Sequence, residues 1–317
     1  MINIFDSARI IRAFDRLKPK SALPRDRNEV AHNCDSLMRL GKFERAAKFY
    51  ETVLELDPRN VNAWIGKGNS LLNQRKYHEA IWCYDKATEL DPENAVAWNN
   101  KGKSFQNLFG RRFEAIQCYD KAIKLDPEYK EAWYNKGTIL TNRGEYDKAD
   151  VCFDRVIELE PRNVKAWHRK LILNERLIML NHANAQAWNN KGNALRNLGR
   201  LNEAIRAFDA SIEYNSRSGA AWYNKGVALY DLKRYDEAIE CYDRAIRLDP
   251  SFVKAWYAMG LSLAFLARHK EAIAAFDTAI RINPQCAKAW RAKGLSLMAF
   301  GYAFEADVAI AIAAGLT

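Results

Sequence analysis

The chain has 317 residues, of which 49% are apolar and 28% are charged, and its formal net charge is +10. This apolar fraction is too high for a disordered chain, and 15 glycines and 8 prolines are too few for collagen or a low-complexity sequence. No apolar run approaches the roughly 18–20 residues that cross a bilayer, and the N-terminus lacks a secretory apolar core, so we expect a cytoplasmic protein without a membrane partner.

The N-terminal region, residues 1–26, is predicted to be an amphipathic helix followed by a linker. Residues 4–17 place apolar side chains on one helical face, and residues 18–26 contain two prolines. The apolar face belongs to Ile4, Phe5, Ala8, Ile11 and Phe14. We expect this helix to cap the array that follows, with docking to a membrane or a partner as the alternative.

Tryptophan recurs at a nearly fixed interval through the rest of the chain. The interval is 34 or 35 residues, except for 21 residues between Trp167 and Trp188. A glycine, an alanine, an aromatic residue and a proline recur in phase with most of them. The tryptophans are Trp64, Trp98, Trp133, Trp167, Trp188, Trp222, Trp256 and Trp290. Such a period is typical of stacked repeats, so we expect these tryptophans to pack in a core rather than around a cofactor.

Each repeat is predicted to contain two helices. The first helix carries the tryptophan and the glycine, and the second carries the alanine and the aromatic residue. An asparagine such as Asn60, Asn94, Asn163 or Asn184 precedes a first helix, where its side-chain oxygen can satisfy a free backbone N–H. Asp-Pro pairs such as Asp57-Pro58 end the second helices, because proline cannot continue a helix.

This arrangement of Trp, Gly, Ala, aromatic and Pro residues resembles the tetratricopeptide repeat family over residues 27–317. The resemblance implies an all-α fold, an α-solenoid in which antiparallel helix pairs stack into a right-handed superhelix. It also implies that the first helices line a concave groove and the second helices lie outside. Members of this family usually hold peptides or protein partners and do not catalyse reactions.

One repeat, residues 164–184, is much shorter than the others and lacks Gly and Pro. We expect one continuous helix of about 18 residues there, near the middle of the chain, with a shortened conventional pair as the alternative. A single helix interrupts the stacking of pairs. We therefore predict two blocks of four repeats, residues 27–163 and 185–317, joined by residues 164–184.

The last stretch, residues 303–312, is more apolar than the end of a repeat array should be. An exposed apolar face suggests a partner surface, so a homo-oligomer formed through this helix is one possibility. The alternative is a helix that its own neighbour covers.

The candidate ligand-binding residues lie on the first helices, at positions that line the groove in the resembled family. Asparagine is enriched there although it is a poor helix former, and its amide offers both a donor and an acceptor to a peptide backbone. The alternative is that these amides bond to one another within the array. The predicted site residues are Asn99, Asn100, Lys103, Tyr134, Asn135, Lys165, Arg169, Asn189, Asn190, Asn193, Tyr223 and Asn224.

Some members of the resembled family hold the terminal carboxylates of a ligand with Lys, Asn and Arg side chains from three consecutive repeats. Lys165 and Arg169 match the third element of such a clamp, and Asn135 matches the second. Asn99 and Lys103 carry the first element in exchanged positions. The resemblance thus implies a carboxylate clamp, with coincidence in a Lys- and Asn-rich repeat as the alternative.

No catalytic or metal-binding motif is evident. The five histidines are scattered over different repeats, and the six cysteines form no CxxC pair. Cys83, Cys118, Cys152 and Cys241 share a position on the second helix, so we interpret them as small buried residues. We expect no cofactor, no metal and no enzymatic activity.

These observations predict a non-enzymatic scaffold that binds an extended, acidic peptide or protein tail in its groove. The alternatives are a nucleic-acid-binding helical repeat protein, which the modest basic excess disfavours, and a self-assembling structural module.

Overall fold

The computed structural model describes residues 36–316 and contains only helices within that range. The predicted N-terminal helix and linker lie outside the described residues. The predicted all-α fold is confirmed. The helices are α1 (Phe43–Leu56), α2 (Val61–Asn73), α3 (Tyr77–Leu90), α4 (Ala95–Gln106), α5 (Arg112–Leu125), α6 (Lys130–Arg143), α7 (Tyr146–Leu159), α8 (Val164–Leu180), α9 (Ala185–Asn197), α10 (Leu201–Tyr214), α11 (Gly219–Asp231), α12 (Tyr235–Leu248), α13 (Val253–Phe265), α14 (His269–Ile282), α15 (Ala287–Phe300) and α16 (Ala303–Gly315).

The chain divides into two compact units between Arg155 and Val156, within α7. Unit 1 contains α1–α6 and most of α7, and unit 2 contains the end of α7 and α8–α16. The block boundaries predicted from the sequence, around residues 164 and 184, stay predictions.

The starts of the first helices follow from local side-chain chemistry. Asn60, Asn94, Asn163 and Asn184 each accept a hydrogen bond from the backbone N–H three residues later, at 3.0 Å, as predicted. Ser218 does the same at 3.2 Å in front of α11. Each bond satisfies one N–H that has no partner inside the helix, which fixes where the helix begins.

The repeated tryptophans fix the turn in front of each first helix. Every indole Nε1–H donates to the backbone carbonyl six residues earlier, as from Trp98 to Pro92 at 3.0 Å and from Trp188 to His182 at 2.8 Å. The rings are half-buried and pack against the core clusters, as for Trp98 in unit 1 and Trp188 and Trp222 in unit 2. The indole thus makes two contacts in each repeat: its apolar face packs against the core, and its N–H donor closes the turn.

Close packing within a pair depends on glycine in the first helix and an aromatic ring in the second. A Cβ added to Gly226 would lie 2.6 Å from the ring of Tyr242, and one added to Gly260 would lie 2.5 Å from Phe276. Tyr242 and Phe276 are almost completely buried. Without a side chain on the glycine, the ring fills the space between the helices.

Each unit is a stack of antiparallel helix pairs that curves toward its first helices. Every helix packs against the next one along the chain in α1–α6 and in α8–α16. In addition, α2 contacts α4, and α4 contacts α6; in unit 2, α9, α11, α13 and α15 contact one another in order. The first helices are thus the more closely spaced ones, so their free face is the inner face of each stack.

The short repeat is one uninterrupted helix, as predicted. α8 runs for 17 residues, begins at the Asn163 cap and packs against α9 in unit 2. Its apolar side chains Leu171, Leu173 and Ile178 are buried. The helix begins with an asparagine cap like a first helix and ends at Asn181 with a cap like those of the second helices, so the turn between the two is absent.

Candidate functional site

The inner face of the first helices carries the residues selected from the sequence, and several of their amides bond to the next repeat. Asn100 Nδ2 donates to Asn69 Oδ1 at 2.9 Å, and Asn135 Nδ2 donates to Asn99 Oδ1 at 3.1 Å. In unit 2, Asn224 Nδ2 donates to Asn189 Oδ1 at 3.0 Å. We call these bonds the amide ladder of each unit: Asn69, Asn99, Asn100 and Asn135 in unit 1, and Asn189 and Asn224 in unit 2.

Asn99 and Asn189 are buried in this ladder. They are only 3% and 7% exposed, and Asn99 Nδ2 also contacts Asn100 Oδ1 and the Tyr129 hydroxyl. The expectation that both amides are open to a ligand is therefore wrong. The alternative stated from the sequence, bonding within the array, is what the structure has at these two positions, because a buried amide must find its partners inside the protein.

The other predicted amides are half-buried. Asn190 Oδ1 accepts a bond from Gln186 at 2.9 Å, whereas the Asn193 side chain makes no hydrogen bond with a described residue. Tyr134 and Tyr223 are also half-buried; Tyr223 contacts the Tyr242 and Phe252 rings, and burial raises the pKa of its hydroxyl. These side chains line the inner face but differ in how much hydrogen-bonding capacity remains.

The residues of the suggested clamp belong to both units. Lys103 and Asn135 lie in unit 1, and Lys165 and Arg169 lie in unit 2. Lys103 and Lys165 are exposed, and Arg169 is half-buried. Asn99 is occupied in the amide ladder. The carboxylate clamp stays a prediction.

The inner face of unit 2 changes character along the stack, which the sequence analysis missed. Five residues after each tryptophan, the side chain is Asn193 in α9, Val227 in α11, Leu261 in α13 and Leu295 in α15. Leu295 is 58% exposed and Met298, on the same face, is 52% exposed. Comparing equal positions across successive repeats, rather than asparagine alone, would have found this trend.

Cations surround this apolar end. Lys254, Lys288 and Arg291 are exposed and form no ion pair with a described residue. Neither α13 nor α15 contains an acidic residue. We call this surface the apolar–basic end of the inner face: Lys254, Leu261, Lys288, Arg291, Leu295 and Met298.

A second set of lysines, three residues after the tryptophans, is paired and thus unavailable to a ligand. Lys101 Nζ lies 2.6 Å from Asp85 of the preceding helix and 4.8 Å from the centre of the Trp98 ring. Lys225 and Lys293 repeat both contacts in unit 2, with Asp209 and Asp277. These contacts join consecutive repeats, and only the structure separates these lysines from the free ones.

The cysteines behave as predicted from their common position. Cys83, Cys118, Cys152 and Cys241 are buried and unpaired. Burial raises the pKa of Cys83 to about 12 and those of the other three to about 11. They are therefore neutral thiols at physiological pH, and a neutral thiol is a weak nucleophile.

Residues 36–316 contain neither a metal-binding cluster nor a membrane-spanning helix. No cluster of His, Cys, Asp and Glu side chains there has the arrangement of a metal site. None of the helices in that range has both the length and the apolar content to span a bilayer.

Solved structures of helical repeat proteins are similar to this chain. A crystal structure of MamA shares 23% identity and a TM-score of 0.41, covering 57% of this chain and 93% of that one. The MamA RS-1 ArsTM double mutant shares 19% identity and a TM-score of 0.45, covering 59% and 93%. YrrB, a TPR protein with an unusual peptide-binding site, shares 22% identity and a TM-score of 0.35, covering 66% and 97%. The sequence matches none of the curated proteins with which it was compared.

Family models match both sides of α8. Tetratricopeptide repeat models match residues 35–95, 65–105, 131–163, 183–251 and 229–299, and a TPR repeat model matches residues 110–141. The matches leave out residues 164–182, where the structure has a single helix instead of a pair. Since the stacked helix pairs and the repeat models agree over most of the chain, this protein belongs to the tetratricopeptide repeat family, which is generally a non-enzymatic protein-interaction module.

Proposed function

We propose that the protein is an interaction scaffold that binds an extended acidic peptide on the inner face of unit 2. The observation that carries this proposal is the apolar–basic end. Its three cations, Lys254, Lys288 and Arg291, have no acidic partner among the described residues. Exposed cations without partners beside exposed leucine and methionine side chains favour a ligand that has both carboxylates and apolar side chains.

The amides next to this end supply a second kind of contact. Asn193 and Asn190 lie on α9, and Asn224 lies on α11, on the same inner face. Asn193 makes no hydrogen bond with a described residue, so its amide can pair with a peptide group. In this proposal the amides hold the ligand backbone without regard to sequence, and the apolar–basic end selects the side chains.

The proposal is tested with synthetic fluorescent peptides and the full chain. The probe is a peptide of alternating Leu and Glu residues, compared with a Leu/Lys peptide and a Ser/Glu peptide of equal length. Anisotropy should show binding of the Leu/Glu peptide alone. Replacing the three cations together (Lys254→Gln, Lys288→Gln and Arg291→Gln) should weaken that binding by about tenfold or more, because each surface ion pair contributes up to about 1 kcal/mol.

A matched triple variant controls for net charge. Arg217, Lys233 and Lys270 are also exposed and form no ion pair with a described residue, but they lie outside the inner face of unit 2. Replacing these three by Gln should leave binding unchanged. Equal losses in the two triple variants, or preference for the Leu/Lys peptide, would refute the proposal. Tight binding of an oligonucleotide that declines steeply with salt would support the alternative of a nucleic-acid-binding protein.

A second proposal, self-association through α16, follows from a comparison of the outer positions of successive second helices. These are Asn202, Arg206 and Ala210 in α10, and Asp236, Glu240 and Arg244 in α12. In α16 the same positions hold Phe304, Val308 and Ile312, which are 78%, 46% and 37% exposed. We propose that this apolar stripe is covered by a second copy of the chain.

A further inference from the structure

Two of the turns that join first and second helices in unit 1, those between α2 and α3 and between α4 and α5, are basic, whereas the turn between α6 and α7 contains Glu145. The turn between α2 and α3 contains Arg75 and Lys76. The turn between α4 and α5 ends with Arg111, and α5 begins with Arg112. Neither of these two turns contains an acidic residue. Because α2 and α4 contact each other side by side, the turns that follow them lie next to each other at the same end of the stack.

Three of these cations are free. Arg75, Lys76 and Arg112 are exposed and form no ion pair with a described residue. Arg111 differs, because its guanidinium contacts Glu114 and lies 4.8 Å from the centre of the Phe105 ring. The equivalent arginines of unit 2 resemble Arg111, since Arg200 and Arg234 each pair with a glutamate three residues later. In unit 2 the turn between α11 and α12 carries one cation without an ion pair to a described residue, Lys233, whereas the two turns of unit 1 and the first residue of α5 together carry three.

Two phenylalanines project from the same edge. The turn between α4 and α5 spans residues 107–111, whereas the turn between α2 and α3 spans only residues 74–76. In the longer turn the Phe109 ring is completely exposed, and Phe113, at the start of α5, is 61% exposed. Neither ring has a ring–ring contact with a described residue. We call the surface formed by Arg75, Lys76, Phe109, Arg112 and Phe113 the aromatic–basic edge.

The opposite edge of unit 1 has the opposite charge. Its turns begin with Asp57, Asp91 and Asp126, whose carboxylates accept hydrogen bonds from backbone N–H groups two residues later. A negatively charged surface would therefore attract one edge of the unit and repel the other, which orients the unit before contact.

We infer that the aromatic–basic edge binds the surface of an anionic lipid bilayer. Cations that flank exposed aromatic rings match such a surface, because the cations meet the headgroup charges while the rings enter the apolar layer. The headgroup charges of an anionic bilayer are spread over its whole surface. Cations on adjacent turns can therefore contact headgroups whatever the distance between the turns. This contact requires no membrane-spanning helix. It departs from the expectation, drawn from the sequence, that the chain has no membrane partner. It does not depend on the proposal that unit 2 binds a peptide.

The test is flotation of the full chain with lipid vesicles. Vesicles of phosphatidylcholine that contain phosphatidylserine should carry the protein, and vesicles of phosphatidylcholine alone should not. Binding should decline as salt is added, because the cation–headgroup attraction is screened. The double variant Arg75→Gln/Lys76→Gln should lower partitioning by about tenfold or more, since each cation near an anionic membrane contributes about fivefold. Phe109→Ala should lower it by roughly tenfold through loss of the inserted ring.

Matched variants in unit 2 distinguish the edge from net charge and from general apolarity. Lys233→Gln/Lys270→Gln removes the same charge, and Lys233 has the same backbone φ of 61° as Arg75. Met179→Ala, in α8, removes a large apolar side chain that is 85% exposed. Both variants should float like the wild-type chain. The inference is overturned if the wild type does not float with phosphatidylserine vesicles, or if the control variants lose as much binding as the edge variants. It is also overturned if the edge variants lose binding to a single-stranded oligonucleotide and the wild type prefers that ligand to vesicles.

Discussion

At the scale of single residues, the amides of the first helices divide into two groups. Asn99 is buried and exchanges hydrogen bonds with Asn100, Tyr129 and Asn135. Asn193 occupies the same kind of helix but is half-buried and forms no hydrogen bond with a described residue. The first group stabilises the contact between repeats, and the second is available to a ligand.

We predict opposite effects of alanine at these two positions. Asn99→Ala removes an acceptor and a donor from a buried network and should lower the free energy of unfolding by about 1–3 kcal/mol. Asn193→Ala should leave it unchanged or raise it by a few tenths of a kcal/mol, because alanine is the better helix former. Urea unfolding of both variants measures the difference. Equal effects would contradict the division of the amides.

The buried thiols predict a loss of stability in alkali. Burial raises the pKa of Cys118, Cys152 and Cys241 from 9.0 to about 11, and that of Cys83 to about 12. Above pH 9 these thiols ionise in the unfolded chain but stay protonated in the folded one, so the unfolded state binds fewer protons. The contribution of these thiols to the free energy of unfolding should therefore be constant below pH 9 and decline as pH rises toward 11.

Urea unfolding at several pH values between about 8 and 10 measures this decline. The variant Cys118→Ala should show a shallower slope, because one of the contributing thiols is absent. Burial also raises the pKa of tyrosines such as Tyr119, so their ionisation lowers the free energy of unfolding as pH rises, as that of the thiols does. A free energy of unfolding that rises over this pH range would therefore contradict the burial of these groups.

At the scale of helices, the contact between glycine and aromatic ring sets how closely a pair can pack. Gly226 faces the Tyr242 ring, where an added Cβ would approach to 2.6 Å. Gly219 begins the same helix, α11, and an added Cβ there would meet its nearest atom only at 3.6 Å. In α11, therefore, close packing requires glycine at position 226 but not at position 219.

We predict that Gly226→Ala lowers the free energy of unfolding by about 1–2 kcal/mol, because overpacking outweighs the gain in helix propensity. Gly219→Ala should be neutral or stabilising. Thermal or urea unfolding of the two variants tests the contrast. A stabilised Gly226→Ala protein would show that Tyr242 can move without cost.

At the scale of the whole molecule, the outer stripe of α16 predicts self-association. Light scattering should give a mass above that of one chain at high protein concentration. Because burial of each large apolar side chain contributes about 1.5–3 kcal/mol, Phe304→Asp/Val308→Asp should restore the mass of a single chain. The control Asp236→Ala/Glu240→Ala changes the corresponding positions of α12 and should leave the mass unchanged. Monomeric wild-type protein at all concentrations would refute this proposal.

The sequence by itself determined the repeat period, the helix boundaries and the single helix α8. Each of these depends on residues a few positions apart, such as the Asn163 cap, or on a turn whose residues are missing between Trp167 and Trp188. Such local signals can be read directly from the chain.

Only the tertiary structure decided which side chains remain free. Asn99 and Asn193 both lie on first helices, as do Lys101 and Lys254, yet the first member of each pair bonds to a neighbouring repeat and the second forms no such bond with a described residue. The partners are 16 to 36 residues away and are brought together by the stacking of helices. Hydrogen bonds and ion pairs over that separation depend on interhelical distances and side-chain directions, which the repeat pattern alone does not specify.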